Sequence, residues 1–287
     1  MKKLILILTG LLLMSSIASA APAKKALVLA VFGTSTEASV TFDQIVPMLK
    51  TKFKDRDVYV PYTSSIIRNK LNAELTEKIL SPDEMFAKLK KDGYTDIAVA
   101  TTLLFAGVEY DKLKASVDTF TKANKGIKVS FAGPLMADEK NIQPVVNTLK
   151  PYIIADGINF VVTHGTHEGH AVEKTYLAVQ KAVEKTYVKS FVGSIEGVPD
   201  METTLETVEK IKDKKVRFLV FMFVAGDHAE NDIAGDEEDS LFTAVKEMGK
   251  TPDVVMVKTS KGERILSLGL DPAYQKLLID HIAKTVK

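Results

Sequence analysis

The sequence predicts an α/β protein made twice over: two similar Rossmann-like domains, each a parallel sheet flanked by helices, with a cleft between them. Three observations carry this expectation. Short continuous apolar runs, several ending in glycine, alternate with amphipathic segments after residue 20, as buried parallel strands alternate with crossover helices. The series restarts near residue 158. Two turns also recur in the same order. Phe32-Gly33-Thr34 matches His164-Gly165-Thr166, and the Ala-Gly of "FAGVEYD" (105–111) matches that of "VAGDHAEND" (224–232), so that Glu109 falls on His228. A duplicated unit accounts for the turns and for their order together, whereas chance likeness of two glycine-ended strands accounts only for the turns.

The elements follow in order. "MKKLILILTGLLLMSSIASA" has a basic start at Lys2 and Lys3, an apolar run from Leu4, and Ala18-Ser19-Ala20 before Ala21. It reads as a secretory signal peptide, residues 1–20, cleaved after Ala20. The rival reading, a membrane anchor, needs a longer run than this one, which Gly10 and Ser15-Ser16 break. No cysteine follows for lipid attachment. The expectation is therefore a periplasmic protein with no membrane anchor after cleavage.

The first domain, residues 21–150, is expected to hold strands at 26–33, 57–64, 96–107 and 128–135. Its helices are "TFDQIVPMLKTKF", where Pro47 marks a kink or a late start, then "SPDEMFAKLKKDG", "EYDKLKASVDTFTKAN" and "NIQPVVNTLKPYI". The second of these has an N-cap serine, a proline in the first turn and a closing glycine. The second domain, residues 151–287, repeats the order with strands at 158–165, 187–197, 215–226 and 253–260. Its last helix, "DPAYQKLLIDHIAKTVK", is placed to pack back on the first domain.

Composition narrows the function. The formal charge is +1, and losing Lys2 and Lys3 takes it to about −1, so no global basic field recruits nucleic acid. Cysteine is absent, which excludes thiolate metal sites, iron–sulfur clusters, a cysteine nucleophile and disulfides. P-loop, GxGxxG, HExxH and EF-hand patterns are absent as well.

Ligands of open parallel sheets bind beyond the carboxyl ends of the strands. His164 stands at such an end, and His228 and Glu109 follow the corresponding third strands of the two halves. Imidazole suits Co, Ni, Fe or Zn, and a carboxylate offsets the metal's charge. Three protein donors leave positions open, as a site that hands its metal on requires, whereas a structural zinc site is closed by four. The plain alternatives are a hydrogen-bonded histidine at a strand end and, for the acidic run 227–239, carboxylates favoured at a helix start. "THGTHEGH" (163–170) also holds His167 and His170, but Gly165 and Gly169 interrupt any helical presentation. These two are assigned to cleft lining, with a peripheral metal site as the alternative. His281 reads as a surface or packing residue. The Gly33-Thr34-Ser35 turn is a candidate anion site or a plain helix cap.

At "VFGTS", "FAGVEYDKL", "THGTHEGH" and "FMFVAGDHAENDIAGDEEDS" the chain resembles the anaerobic sirohydrochlorin cobaltochelatases, class II chelatases related in fold to ferrochelatase. The resemblance spans essentially everything after the signal peptide. It implies insertion of Co²⁺, with Fe²⁺ or Ni²⁺ as alternatives, into sirohydrochlorin, a step of cobalamin biosynthesis, without ATP or an organic cofactor. It assigns the metal site and catalysis to His164 of the His-Gly motif, His228 of Gly-Asp-His and Glu109 of Gly-x-Glu-Tyr. The substrate's eight carboxylates call for donors at the cleft mouth, for which Gly33, Thr34, Ser35 and Arg68 are the candidates. The export signal departs from an expected cytoplasmic role. A second reading is therefore a non-enzymatic periplasmic carrier of metal or tetrapyrrole. Haem binding and oligomerisation stay open, with nothing in the residues that indicates haem. A metal-dependent phosphate-ester hydrolase is the third reading, and it lacks a nucleophile or an acidic metal cluster.

Overall fold

A computed structural model describes residues 23–286; the expected signal peptide, residues 1–20, lies outside the described residues. The first half contains β1 (Lys25–Ala30), α1 (Val40–Lys52), β2 (Asp57–Tyr59), α2 (Ser65–Asn72), α3 (Pro82–Lys91), β3 (Asp96–Thr101), α4 (Val108–Ala123), β4 (Lys128–Ala132) and α5 (Ile142–Asn147). The second contains β5 (Ile158–Gly165), α6 (Glu173–Thr186), β6 (Ser190–Glu196), α7 (Met201–Lys210), β7 (Lys215–Val220), α8 (Leu241–Glu247), β8 (Thr251–Val254), β9 (Met256–Thr259), β10 (Gly262–Ile265) and α9 (Pro272–Thr285).

The two four-stranded sheets have the same topology. Their orders are β2-β1-β3-β4 and β6-β5-β7-β8, and all their pairings are parallel. The repeat read from two turns is thus a repeat of strand order.

Strand alternation sorts the core. In β1, Ala26, Val28 and Ala30 join Phe86 and Leu89 of α3 and Leu113 and Val117 of α4. Leu27 and Leu29 face the other way, into a cluster with Phe42, Ile45 and Leu49 of α1. That cluster also takes Val161 of β5, Leu219 of β7, and residues of α5, α6 and α9, so both sheets rest one face on a shared helical layer. The outer face of the second sheet packs Ile158, Phe160 and Val162 against Val208 of α7 and Val245 of α8. The final helix lies against β4 and α5 of the first half, with Tyr274, Leu278 and Ile282 almost wholly buried.

Several expected boundaries move. The apolar runs at 26–33 and 96–107 outlast their strands; Leu104 and Phe105 are buried in the loop after β3, so apolarity there marks core and cavity wall rather than strand. The run at 57–64 stops pairing after Tyr59, apart from a bridge between Val31 and Tyr62, because Pro61 intervenes and Ser64 caps α2 by accepting from Ile67 N. The run at 253–260 is two strands: β8 continues the parallel sheet, and β9 turns into an antiparallel hairpin with β10. Helix α1 runs through Pro47. Pro47 and Asp43 both lie on its exposed face, where water can satisfy the Asp43 carbonyl that a proline at i+4 leaves without a donor.

Candidate metal and tetrapyrrole site

The site lies at the carboxyl ends of the strands, where the two halves meet over a cavity of about 670 Å³. His164 is the penultimate residue of β5, and Gly165 turns the chain away with φ of +86°. Only glycine fits there, because a Cβ would sit 1.7 Å from the Glu196 carbonyl oxygen. Gly33, its counterpart in the first half, has φ of +103°. Tyr176 of α6 fixes the turn from below: its hydroxyl donates to the Gly165 carbonyl at 2.9 Å. Its ring packs at a tilt against Phe105 of the first half with centroids 4.1 Å apart, and burial pushes its phenol pKa up.

His228 starts a π-helical turn, Ala229–Ile233, a local widening common at functional sites. Its Nδ1 is 2.5 Å from Asp232 Oδ2, while His164 Nδ1 is 3.3 Å from the Gly165 carbonyl oxygen. Both neighbours are acceptors, so in the neutral form of each ring Nδ1 is the donor and Nε2 has the lone pair, the tautomer a metal ligand needs. The rings meet edge to face, with centroids 5.1 Å apart and planes at 81°. The Gly-Asp-His segment is pressed against the first half, since a Cβ on Gly226 would lie 2.8 Å from Thr34 Oγ1.

Glu109 lines the same cavity, in the first turn of α4. Its Oε1 accepts from Lys112 Nζ at 2.7 Å, and among the described residues no three His, Cys, Asp or Glu side chains form a metal-holding group. The structure therefore brings together two of the three expected ligands and leaves the third in the wall, paired on its own helix. Gly33, Thr34 and Ser35 line the cavity, with Thr36 N bonded to Thr34 Oγ1 and Ala38 N to Thr36 Oγ1. Part of the turn's donor capacity is thus spent as a helix cap. Arg68 Nη1 is taken by the Tyr62 and Thr63 carbonyls, at 2.5 and 2.8 Å. The cations along the wall are instead Lys70 of α2 and Lys112 of α4.

His167, which lines the cavity, is 84% exposed and 3.8 Å from Glu196. His170 lies between Val172 N, which donates to its Nδ1, and Asp111 at 3.4 Å. His281 Nε2 donates to the Gly133 carbonyl at 2.8 Å, a packing role. Sequence reasoning missed Asp232, treating it as an ordinary acidic helix residue; its i+4 spacing from His228 was the available signal. It also missed the polarity of the cavity. The first half exposes Phe32, Ile66 and Val108 beside Lys70 and Lys112, while the second supplies histidines with Glu196 and Asp227. The exposed apolar side chains and lysines suit a ring with carboxylates, and the histidines suit a cation.

The comparisons with known proteins give the family of the chain. The family model described as cobalt chelatase (CbiK) matches residues 25–287. A sirohydrochlorin cobaltochelatase of Salmonella typhimurium is 26% identical over 268 residues, covering 90% of this chain and 95% of its own. The sirohydrochlorin cobaltochelatase CbiKC of Nitratidesulfovibrio vulgaris is 24% identical over 255 residues, covering 86% and 89%. Among solved structures, SirB from Bacillus subtilis with Fe³⁺ superposes with a TM-score of 0.62 at 12% identity, over 91% of this chain and 95% of that one. At that identity the superposition speaks for the two-sheet fold alone. With the family model spanning nearly all of the described residues, this chain belongs to the cobalt chelatase (CbiK) family.

Proposed function

We propose that this protein is an exported chelatase that inserts Co²⁺ into sirohydrochlorin without ATP or an organic cofactor. The observation that carries the reading is the His164–His228 pair, whose Nδ1 atoms are turned to acceptors and whose rings share one large cavity in a chain of this family. The names of the curated relatives supply the tetrapyrrole and the metal. The apolar and cationic wall of the first half supports a large carboxylated ring. Export rests on the sequence of residues 1–20.

The chemistry asks for three things. The metal must be held loosely, and two imidazole nitrogens leave most of its coordination positions to water and to the incoming ring. Two pyrrole protons must leave, and Glu109 or a metal-free imidazole can accept them. The ring must be held with its nitrogens toward the metal, for which Phe32, Ile66 and Val108 give apolar contact and Lys70 and Lys112 give charge.

Purified protein mixed with Co²⁺ and sirohydrochlorin is expected to shift the tetrapyrrole absorption faster than the two reactants alone. Folded protein that gives no acceleration would overturn the proposal. Tight retention of metal or tetrapyrrole without turnover would point instead to a carrier.

A further inference from the structure

We infer that the β9–β10 hairpin is a strap that holds the Gly33–Ser35 turn at a fixed distance from the segment carrying His228, so that Val257, Lys261 and Arg264 are positioning residues for the tetrapyrrole. The inference rests on the chelatase reading and assigns part of the substrate site to an element that does not line the cavity. The hairpin is where the internal repeat breaks. In the first half β4 leads into a 3-10 turn, Leu135–Ala137, and on to α5; in the second the hairpin stands between β8 and the 3-10 turn Leu268–Leu270 that precedes α9. The added chain crosses to the first half. Lys261 Nζ lies 3.2 Å from Ser39 Oγ and 3.3 Å from Asp43 Oδ2, and Arg264 Nη2 lies 3.8 Å from Glu37 Oε2. Glu37 and Asp43 are exposed, so these pairs are weak and set direction only. An apolar seam supplies the hold: Val40, wholly buried at the start of α1, clusters with Leu266 and Leu270, and Val255 and Val257 pack against them. The first-half partners, residues 37–43, directly follow the Gly33–Ser35 turn.

The other end of the strap is tied to the second half. Leu268 N donates to the Met222 carbonyl at 2.9 Å and Gly269 N to the Phe223 carbonyl at 3.0 Å, in the stretch that leads from β7 to His228. Gly269 is wedged between that stretch and α1, since a Cβ there would overlap both the Phe223 carbonyl oxygen and the Thr41 methyl. The hairpin and the turn after it thus bridge two walls of the cavity, one with Gly33–Ser35 and one with Met222, Phe223 and His228. A binding turn that is held in place beforehand does not have to be ordered by its ligand, and affinity gains by that difference.

The test removes the strap and reads ring and metal separately. Leu266 N donates to the Val255 carbonyl at 2.8 Å, so the hairpin closes at its base and residues 256–265 can be replaced by Gly-Gly. Val257→Asp, which puts a charge into the seam, is the milder variant, and Val257→Ile is its conservative control. The chain has no cysteine, so spin labels on Ser35→Cys and His167→Cys report the distance across the cavity with no ligand present. That distance should be narrowly distributed in the parent and in Val257→Ile, and broader in the excised protein and in Val257→Asp. On unlabelled protein, sirohydrochlorin should bind roughly tenfold more weakly without the strap, because the turn is then ordered only on binding. Co²⁺ should bind within about twofold of the wild-type value, as at an independent site, because both histidines and the partners of their Nδ1 atoms belong to the second half. An unchanged distance distribution in folded Val257→Asp and in the excised protein overturns the strap. So does an unchanged sirohydrochlorin affinity, or a Co²⁺ affinity that falls as far as that for the ring, which would make the hairpin a general support of the fold. A parent protein that binds no sirohydrochlorin refutes the chelatase reading, and the distance measurement then judges the strap alone.

Discussion

The imidazoles of His164 and His228 stand edge to face with centroids 5.1 Å apart, one at the carboxyl end of β5 and the other on the segment that follows β7. Each ring has its Nδ1 committed to a neighbour, the Gly165 carbonyl for one and Asp232 for the other. What remains is a pair of lone pairs over a cavity. Replacing either histidine by alanine is expected to lower the metallation rate on the order of 10²–10⁴-fold, the range of a working acid–base or ligand group. The double variant should be little worse than either single one, because residues that act as a unit are not additive. Initial rates of Co²⁺ insertion check both statements.

Asp232 orients His228 and fixes its tautomer. Asp232→Asn keeps the shape and loses the charge, and it should lower Co²⁺ affinity about 10–100-fold, as removal of an outer partner of a ligand histidine typically does. Calorimetric titration reads the loss, and an unchanged far-ultraviolet dichroism spectrum would show that the fold is kept.

Gly165→Ala should cost stability as well as activity. The positive φ alone is worth about 1–3 kcal/mol, and the added Cβ collides with main chain at Glu196, which cannot swing aside as a side chain would. Urea unfolding should show a lower midpoint with an unchanged slope.

Much of this site was legible in the sequence. His164, His228 and Glu109 were marked by glycine turns at matched strand ends, and the cavity contains all three. Their state was not legible. The Glu109–Lys112 pair depends on rotamers along α4, and the His228–Asp232 bond on a π-helical turn that no composition rule signals. Strand ends were also hidden, because an apolar run reads alike whether it pairs in a sheet or lines a cavity, as at Leu104 and Phe105. The hairpin of β9 and β10 escaped notice although Gly262, with φ of +91°, opens β10 directly after the two-residue turn. Arg68 shows the opposite error, a cation chosen for its charge that the structure uses to bind carbonyls.

Arg68 and Lys70 should therefore separate. Arg68→Ala removes bonds to the Tyr62 and Thr63 carbonyls and should lower stability by about 1–3 kcal/mol, with KM for sirohydrochlorin nearly unchanged. Lys70→Ala should raise KM and leave stability alone. Thermal melts and Michaelis curves on the two variants decide.

Acid should loosen the first sheet through Asp96. Burial raises its pKa, but the Arg56 hydrogen bond and charge outweigh this and hold it below the ordinary value of 3.8; Arg56 Nη1 lies 2.8 Å from Asp96 Oδ1 and both side chains are buried. A carboxylate with a lowered folded pKa contributes stability that is complete above its unfolded pKa and is lost as pH falls through the folded one. The unfolding free energy should accordingly fall below about pH 4. Asp96→Asn should remove that part of the acid step while costing about 3–5 kcal/mol at neutral pH, because the buried guanidinium loses this carboxylate. Urea titrations across pH on both proteins check the slope.

The central claim is that one cavity holds the metal through His164 and His228, and a crystal of the protein soaked in Co²⁺ tests it most directly. The account predicts an anomalous peak between the Nε2 atoms of His164 and His228. Cobalt on His167 or His170, with the His164–His228 pair empty, would contradict it.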